Sequence, residues 1–473
     1  HLLFAIYLGY RLRKLLGSFS FFYAILYAGA FGPLLSARFA VIDNMFNAMI
    51  GVAAFELFLL MQAAKSSTRY LHALLAALAM GTAVLTKGPL GGVIPLVAVL
   101  SVVLGQAWLD LPRGLPLPQK ASRFIASAWL RLFRALPPGP LALTGILSLT
   151  IALSWFAINF LVSGPQFLAG FAAFQGMLFS QPLDSHEGPF FYHFIVALLG
   201  LFPWTPLLLL YFNREVRMAV VHKERDLVFF CLGWILFVLI LFSFVRTKLP
   251  HYSASMYIPQ TLLILIALRE AAGLSVRWNW IQILTATYMI VLGLAFAILP
   301  YTFGDFREKM DFIMKNPPEP HALAFLPGML LVGLAFVTVF FLKKRQWFSY
   351  LCSGLFSTAL FLASLWVLVL PLYTSHNQGP LRTLMQEAYS KNGELAMYRF
   401  LSFDLFFYGQ RTIEVLHSYK FKGNAERLNQ PGQKDLYVLC RKDHKLQLTL
   451  EHPSLEHVRD LGLHSMYVLR ARP

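Results

Sequence analysis

Lys87 stands in LTKGPLGG between two long apolar runs, and three more basic residues share that setting. Arg38 lies in LLSARFAVIDNMF, and Arg246 and Lys248 lie in FVRTKLPHY, each flanked by apolar sequence. A cation at the edge of an apolar run is costly unless it snorkels, pairs or binds an anion. Snorkelling accounts for any one of them. Four together, each beside Asp, Gly-Pro or Pro-His-Tyr, point instead to a bound anion. The carboxylate in reach is Asp43, the only acidic residue between His1 and Ala54 and five residues after Arg38. Its place before an apolar run suits a helix N-cap, and equally a catalytic-site carboxylate that pairs with Arg38 or orients a substrate.

The neighbours of these residues sharpen the chemistry. Gly88 permits close backbone approach and Pro89 suits the first turn of a helix, so Lys87 is expected beside a helix N-terminus, a ready anion site. RTKLPHY adds His251 and Tyr252 to Arg246 and Lys248. Three positive donors with a phenol suit a phosphate held at a membrane surface. The segment 162–190, read as a loop, has no Lys or Arg but holds Gln175, Gln181, Asp184, His186 and Glu187. His186 with Asp184 or Glu187 is a candidate ligand set for a divalent cation; mixed ligands without defined spacing read equally as an ordinary polar loop. No other cofactor is indicated. FPWTP at 202–206 reads as a proline-bent helix with an interfacial tryptophan.

The elements that position these groups are membrane-length helices. The chain has 473 residues, of which 57% are hydrophobic and only 13% charged, with a mean hydropathy of +0.60. Soluble domains carry about 25% charged residues, so a polytopic membrane protein is indicated. A net charge of +17 raises nucleic acid as a partner. The Lys and Arg residues, however, sit in short loops between apolar runs, as the positive-inside rule demands. Membrane lipids are therefore expected as partners, and nucleic acid is not. Cys231 and Cys352 fall in apolar runs and Cys440 is alone in the polar tail, so no disulfide is expected to brace that tail.

Whole spans are predicted at 18–37, 43–61, 70–86, 90–107, 141–161, 190–212, 227–245, 252–269, 279–300, 322–342 and 348–370. The opening HLLFAIYLGYRLRK reads as the second half of a further helix, which makes about twelve. Arg11, Arg13, Lys14, Lys65, Arg69 and the cations of 113–134, 214–225, 269–277 and 343–345 fall in alternate loops. They outnumber those of the other set, so their side is cytoplasmic and the four cations and Asp43 face outward. After residue 371 the pattern becomes LRTLMQEAYS (helix), LAMYRF, TIEVLHS and DLYVLC (strands), PSLEHVRDL (helix) and MYVLRA (strand). That is a small extracytoplasmic α/β domain over 372–473, following a membrane domain over 1–371.

Four stretches in order, SARFAVIDNMF (36–46), LTKGPLGGVIP (85–95), HEGPFFYHFIVALLGLFPW (186–204) and TKLPHYSASMYIP (247–259), resemble the GT-C polyprenyl-phosphate-sugar glycosyltransferases. They are most similar to bacterial lipid A 4-amino-4-deoxy-L-arabinose transferases and their protein O-mannosyltransferase relatives. LFFYGQR (405–411) resembles the extracytoplasmic domain of the same family. The resemblance implies a mainly α GT-C bundle in the bacterial inner membrane with its C-terminal domain in the periplasm. It implies an inverting transfer of a sugar from polyprenyl (undecaprenyl) phosphate to lipid A or another envelope acceptor. Asp43 falls on the family's second acidic motif and is the catalytic candidate. Arg38, Lys87, Arg246, Lys248, His251 and Tyr252 are the donor-binding candidates, and His186 falls on a loop position associated with a divalent cation. The family's first helix and first outer loop have no counterpart, so the N-terminal helix is expected to be missing. A transporter or flippase of an anionic lipid is the rival class; no internal repeat or midplane charge supports it.

Overall fold

Apolar runs of this length satisfy their backbone groups in hydrocarbon only as helices, and helices make up most of the chain. The computed structural model describes residues 1–38, 42–112, 114, 116–180, 188–274, 279–302, 322–410, 413–416, 427–428 and 432–471. They form two compact units, His1–Gly293 with Leu330–Leu362, and Leu294–Met329 with Ala363–Pro473.

In the first unit α1 (Leu2–Leu16) turns at Gly17, where φ is +61°, and α2 (Phe21–Gly29) packs back along it. α3 (Phe31–Arg38) follows at a 58° bend. α4 (Asp43–Gln62) and α5 (Ser66–Lys87) form an antiparallel hairpin, and α6 (Leu90–Leu109) returns against both. α7 (Leu117–Ala135) buries no residue, and α8 (Pro138–Ser163) packs on α5. Then come α9 (Pro165–Ser180), α10 (Tyr192–Gly200), a 3-10 segment (Thr205–Phe212), α11 (Arg214–Phe244), a second 3-10 segment (Pro250–Met256) and α12 (Tyr257–Gly273). α13 (Asn279–Thr302), α14 (Leu326–Lys343) and α15 (Trp347–Ser364) follow, with Leu294–Thr302 of α13, Leu326–Met329 of α14 and the end of α15 assigned to the second unit.

Among the described residues eight helices are long and apolar enough to cross a membrane, or up to ten if each bent pair is one span. The expected count of about twelve is not reached among the described residues. Residues 1–10 and 18–37 belong to the α1–α3 run, and 190–212 is a pair of helices meeting at 101°. The segment 252–269 is a 3-10 turn feeding the nearly all-buried, 17-residue α12. The bend at FPWTP is as expected, but its tryptophan is buried in the core and not interfacial: Trp204 Nε1 donates to Leu26 O at 2.8 Å. Gly354 makes room for it, since a Cβ there would lie 2.2 Å from the Trp204 ring.

The second unit holds a five-stranded sheet in the order β2-β1-β3-β5-β4. β1 (Glu394–Tyr398) pairs in parallel with β2 (Glu414–Leu416) and β3 (Leu436–Arg441). β5 (His464–Leu469) is antiparallel to β3 and to β4 (Glu456–Leu461). Strand alternation sends Leu395 and Met397 to one core, with Leu384 and Met385 of α16 (Leu370–Ser390), and Ala396 and Tyr398 to the other. Leu405 of α17 (Phe403–Gly409) joins the first core and Leu448 of α18 (Lys445–Glu451) the second. The helix expected at 453–461 is β4. A bulge between His457 and Arg459 adds Val458 to the strand, so Val458 and Leu461 reach the core at a three-residue spacing that mimics a helix.

Candidate active site

The sequence TKGPLGG is shaped by the α5–α6 turn. Gly88 sits at φ +94°, a conformation that L side chains rarely adopt, and its N–H closes α5 on Val84 O at 2.8 Å. Gly91 lets α6 touch α5, since a Cβ there would fall 2.5 Å from the Ala83 carbonyl carbon. The turn sets Lys87 at the end of α5, level with Asp43 at the start of α4. Their side chains form an ion pair, with Asp43 almost wholly buried and Lys87 reaching a cavity. His251 Nε2 lies 3.9 Å from the other Asp43 oxygen. The pairing of Asp43 with Arg38 entertained from sequence is replaced by these two partners; Arg38 ends α3 and is exposed. Asn44 secures the neighbourhood by donating to Ser36 O.

An ammonium has three donors, and Asp43 takes one. Lys87 Nζ also lies 4.7 Å from the centroid of the Tyr252 ring and 5.9 Å from that of Phe46. Both rings line the same cavity of about 450 Å³, with Trp155, Phe156, Phe167 and Phe171 as further walls and Gln175 as a second polar group. Phe156 and Phe171 meet edge to face at 5.1 Å. The cavity thus has one fixed cation at a largely apolar, aromatic-rich wall, which suits an anionic head on a long apolar tail. His251 and Tyr252 meet edge to face at 5.0 Å, His251 by Asp43 and Tyr252 by Lys87, and His251 borders a second, apolar cavity of about 330 Å³ lined by Phe31, Leu35, Leu199 and Tyr257.

The other expected cations behave differently. Lys248 is buried, and its Nζ donates to Phe242 O and Ser243 O, both at 2.7 Å. It therefore satisfies the carbonyls that end α11. Gly188 lies against it, where a Cβ would come 3.0 Å from Lys248 Cγ. Arg246 is exposed two residues earlier. The metal candidate His186, with Gln181, Asp184 and Glu187, lies outside the described residues. Among the described residues no group of three or more His, Cys, Asp or Glu side chains is placed to hold a metal ion.

The wall supplied by α9 falls in 162–190, where the polar residues of the sequence suggest a loop. The helical signal is present: Phe167, Phe171 and Gln175 recur at i, i+4 and i+8, one face of a helix. The sequence likewise leaves unmarked His193, fully buried in α10, whose Nδ1 lies 2.8 Å from Ser253 Oγ and ties α10 to the segment carrying His251 and Tyr252.

Membrane-length helices, a cation fixed at an apolar cavity and a small α/β unit define a mainly helical, multi-pass membrane protein, the fold class the sequence led one to expect. The fold is similar to that of ArnT from Cupriavidus metallidurans. Its crystal structure in the apo state matches with a TM-score of 0.70 at 16% identity, covering 100% of this chain and 83% of that one. The structure of the same protein bound to undecaprenyl phosphate matches with a TM-score of 0.68. In sequence the chain is similar to undecaprenyl phosphate-alpha-4-amino-4-deoxy-L-arabinose arabinosyl transferases. That of Yersinia enterocolitica is 26% identical over 247 residues, 52% of this chain and 39% of the relative. That of Pectobacterium atrosepticum is 26% identical over 322 residues, 67% of this chain and 51% of the relative. The matches thus span between about a third and half of the relatives' length. No family model matches the chain.

Proposed function

We propose that the protein is an inverting glycosyltransferase of the bacterial inner membrane. It would move a sugar from a polyprenyl (undecaprenyl) phosphate donor to lipid A or another envelope glycolipid. Residues 1–371 are then the membrane domain and 372–473 a periplasmic domain. The observation that carries this reading is Lys87, held by Asp43 at the wall of the aromatic cavity.

In this mechanism the isoprenoid tail lies among Phe46, Trp155 and Phe171, and the donor phosphate meets Lys87. The acceptor approaches from the His251 side and attacks the anomeric carbon. That carbon's bond to the phosphate oxygen breaks, and polyprenyl phosphate leaves with the bond's electron pair. A phosphate is a good leaving group that needs its developing charge stabilised more than it needs a proton, which is the work of Lys87. An ionised phosphate acceptor needs no general base. Asp43 then acts through Lys87, fixing the ammonium in place. Arg246, exposed in the same outer segment, and Arg38 supply further positive charge to the donor head. Lys248 contributes by shaping the segment that presents His251 and Tyr252. No step is routed through a metal ion.

The test is release of free polyprenyl phosphate by the full-length protein in liposomes loaded with lipid-phosphate sugars, with and without lipid A. Release that requires lipid A is the expected result. Release only with a peptide acceptor would move the protein to a protein O-mannosyltransferase-type reaction. Transbilayer movement of the labelled donor without any release would replace the enzyme with a transporter.

A further inference from the structure

We infer that a second pocket, at the end of the bundle opposite Lys87, binds the phosphodiester headgroup of an anionic phospholipid. Glu56 lies thirteen residues beyond Asp43 on α4, and His72 lies fifteen residues before Lys87 on α5. At the rise of an α-helix these offsets are about 20 Å. There a pocket of about 430 Å³ is lined by Tyr10, Arg11, Arg13, Lys14, Leu59 and His72.

The pocket has a built wall. Glu56 is fully buried behind it, and one of its oxygens lies 2.7 Å from both Arg11 Nη2 and His72 Nδ1. The other accepts from the Tyr7 hydroxyl at 2.5 Å. Arg11 Nη2 is also 3.0 Å from His72 Nδ1. Glu56 therefore fixes the guanidinium without cancelling the site. Three cations, Arg11, Arg13 and Lys14, line the pocket against one carboxylate behind it, and Arg13 and Lys14 are exposed at the rim. A fixed guanidinium with two exposed cations suits an oxyanion with several acceptor oxygens.

Two features place a lipid surface at this level. On α1 the exposed residues run from Ile6 through Tyr10 to Arg13, an apolar, aromatic and then cationic order that matches the passage from hydrocarbon to headgroup. At the same end α7 is amphipathic. Ile125, Trp129 and Phe133 are exposed on one arc, and Lys120, Arg123 and Arg134 share the other. Arg131 anchors α7 to the end of α6 through Gln106 at 3.0 Å and Asp110. A helix of this kind lies in the interfacial plane of a membrane with its basic face toward anionic headgroups.

Native mass spectrometry of the full chain with phosphatidylglycerol or phosphatidylcholine tests the inference, with the thermal midpoint in millimolar inorganic phosphate as a second reading. The double variant Arg13→Gln/Lys14→Gln alters only exposed rim residues. Phosphatidylglycerol is expected to be retained over phosphatidylcholine, and the double variant to lose roughly fivefold in retention for each cation removed. Lys120→Gln/Arg123→Gln on α7 is expected to keep the preference. Stabilisation by inorganic phosphate with no lipid preference would keep the anion site and overturn its lipid ligand. Equal retention of both lipids with no effect of phosphate would overturn the pocket. So would equal losses in the two double variants, which would leave only general surface charge.

Discussion

Asp43 and Lys87 are 44 residues apart and form an ion pair between the first residue of α4 and the last of α5. The pair ties the hairpin at the level of the aromatic cavity and aims one ammonium at it. Lys87→Ala in the full-length protein is expected to lower turnover by about 10²-fold, the scale for loss of one preorganised charge stabiliser. It leaves Asp43 buried without its cation, costing about 1–3 kcal/mol of stability. Adding Asp43→Asn should restore most of that stability while turnover stays low. Thermal midpoints and donor turnover measured on the same preparations check this. Recovered turnover in the double variant would make the pair structural and leave the phosphate without its cation.

Lys248→Ala is expected to act in the opposite order. Its ammonium satisfies two buried carbonyls at the end of α11, so its loss should destabilise the protein by about 1–3 kcal/mol. Turnover should fall because the 246–252 segment shifts. Lys248→Arg, which keeps donors near Phe242 O and Ser243 O, should recover part of both. A Lys248→Ala protein with an unchanged midpoint and lost turnover would instead put this lysine on the donor phosphate.

The helical class was legible because runs such as 43–61 and 70–86 are of membrane length and mostly apolar, with Glu56 and His72 as rare polar interruptions, and the structure places α4 and α5 over them. Site residues were legible as types but not as partners. Nothing local says that Asp43 meets Lys87 and not Arg38, since that depends on the register of an antiparallel hairpin. Lys248 was unreadable for another reason: its partners are backbone carbonyls, which carry no sequence signature. At 190–212 a Gly200 that fits under Tyr257 and the prolines of FPWTP bend a mostly apolar run into a pair of helices at 101°. In the tail, one bulged residue in β4 gave a strand the spacing of a helix.

Phe171→Ala tests whether the aromatic cavity holds an isoprenoid tail. The ring packs edge to face on Phe156 and faces the cavity from α9. Removing it should raise KM for a long-chain polyprenyl donor by roughly tenfold, as the loss of about 1.4 kcal/mol of apolar contact requires. For a donor with a short, soluble prenyl group KM should be nearly unchanged, and kcat should hold for both. An equal rise in KM for both donors would mean that the residue shapes the head site and not the tail groove.

His464 gives the second unit a defined pH response. It stands in β5 opposite Arg441 and against Phe400, with ring centroids 5.4 Å apart. Burial, and then the charges of Arg441 and Lys442, lower its pKa from 6.5 to about 4. The folded histidine therefore stays neutral where the unfolded one binds a proton. Between pH 6.5 and 4 the unfolded state takes up more protons, so stability falls as the pH falls through that window. The loss approaches about 3 kcal/mol near pH 4, and above pH 7 the group contributes no slope. Asp460 does not share the window. Burial alone would raise its pKa, but hydrogen bonds from His457, Ser465 and Lys445 outweigh that and hold it low, so its contribution is lost only at more acid pH. Amide exchange in β3 and β5 of the full chain, corrected for intrinsic rates between pH 7 and 4.5, should show protection declining with acid. His464→Gln should flatten that decline. An undiminished decline in the variant would assign the acid sensitivity to other groups.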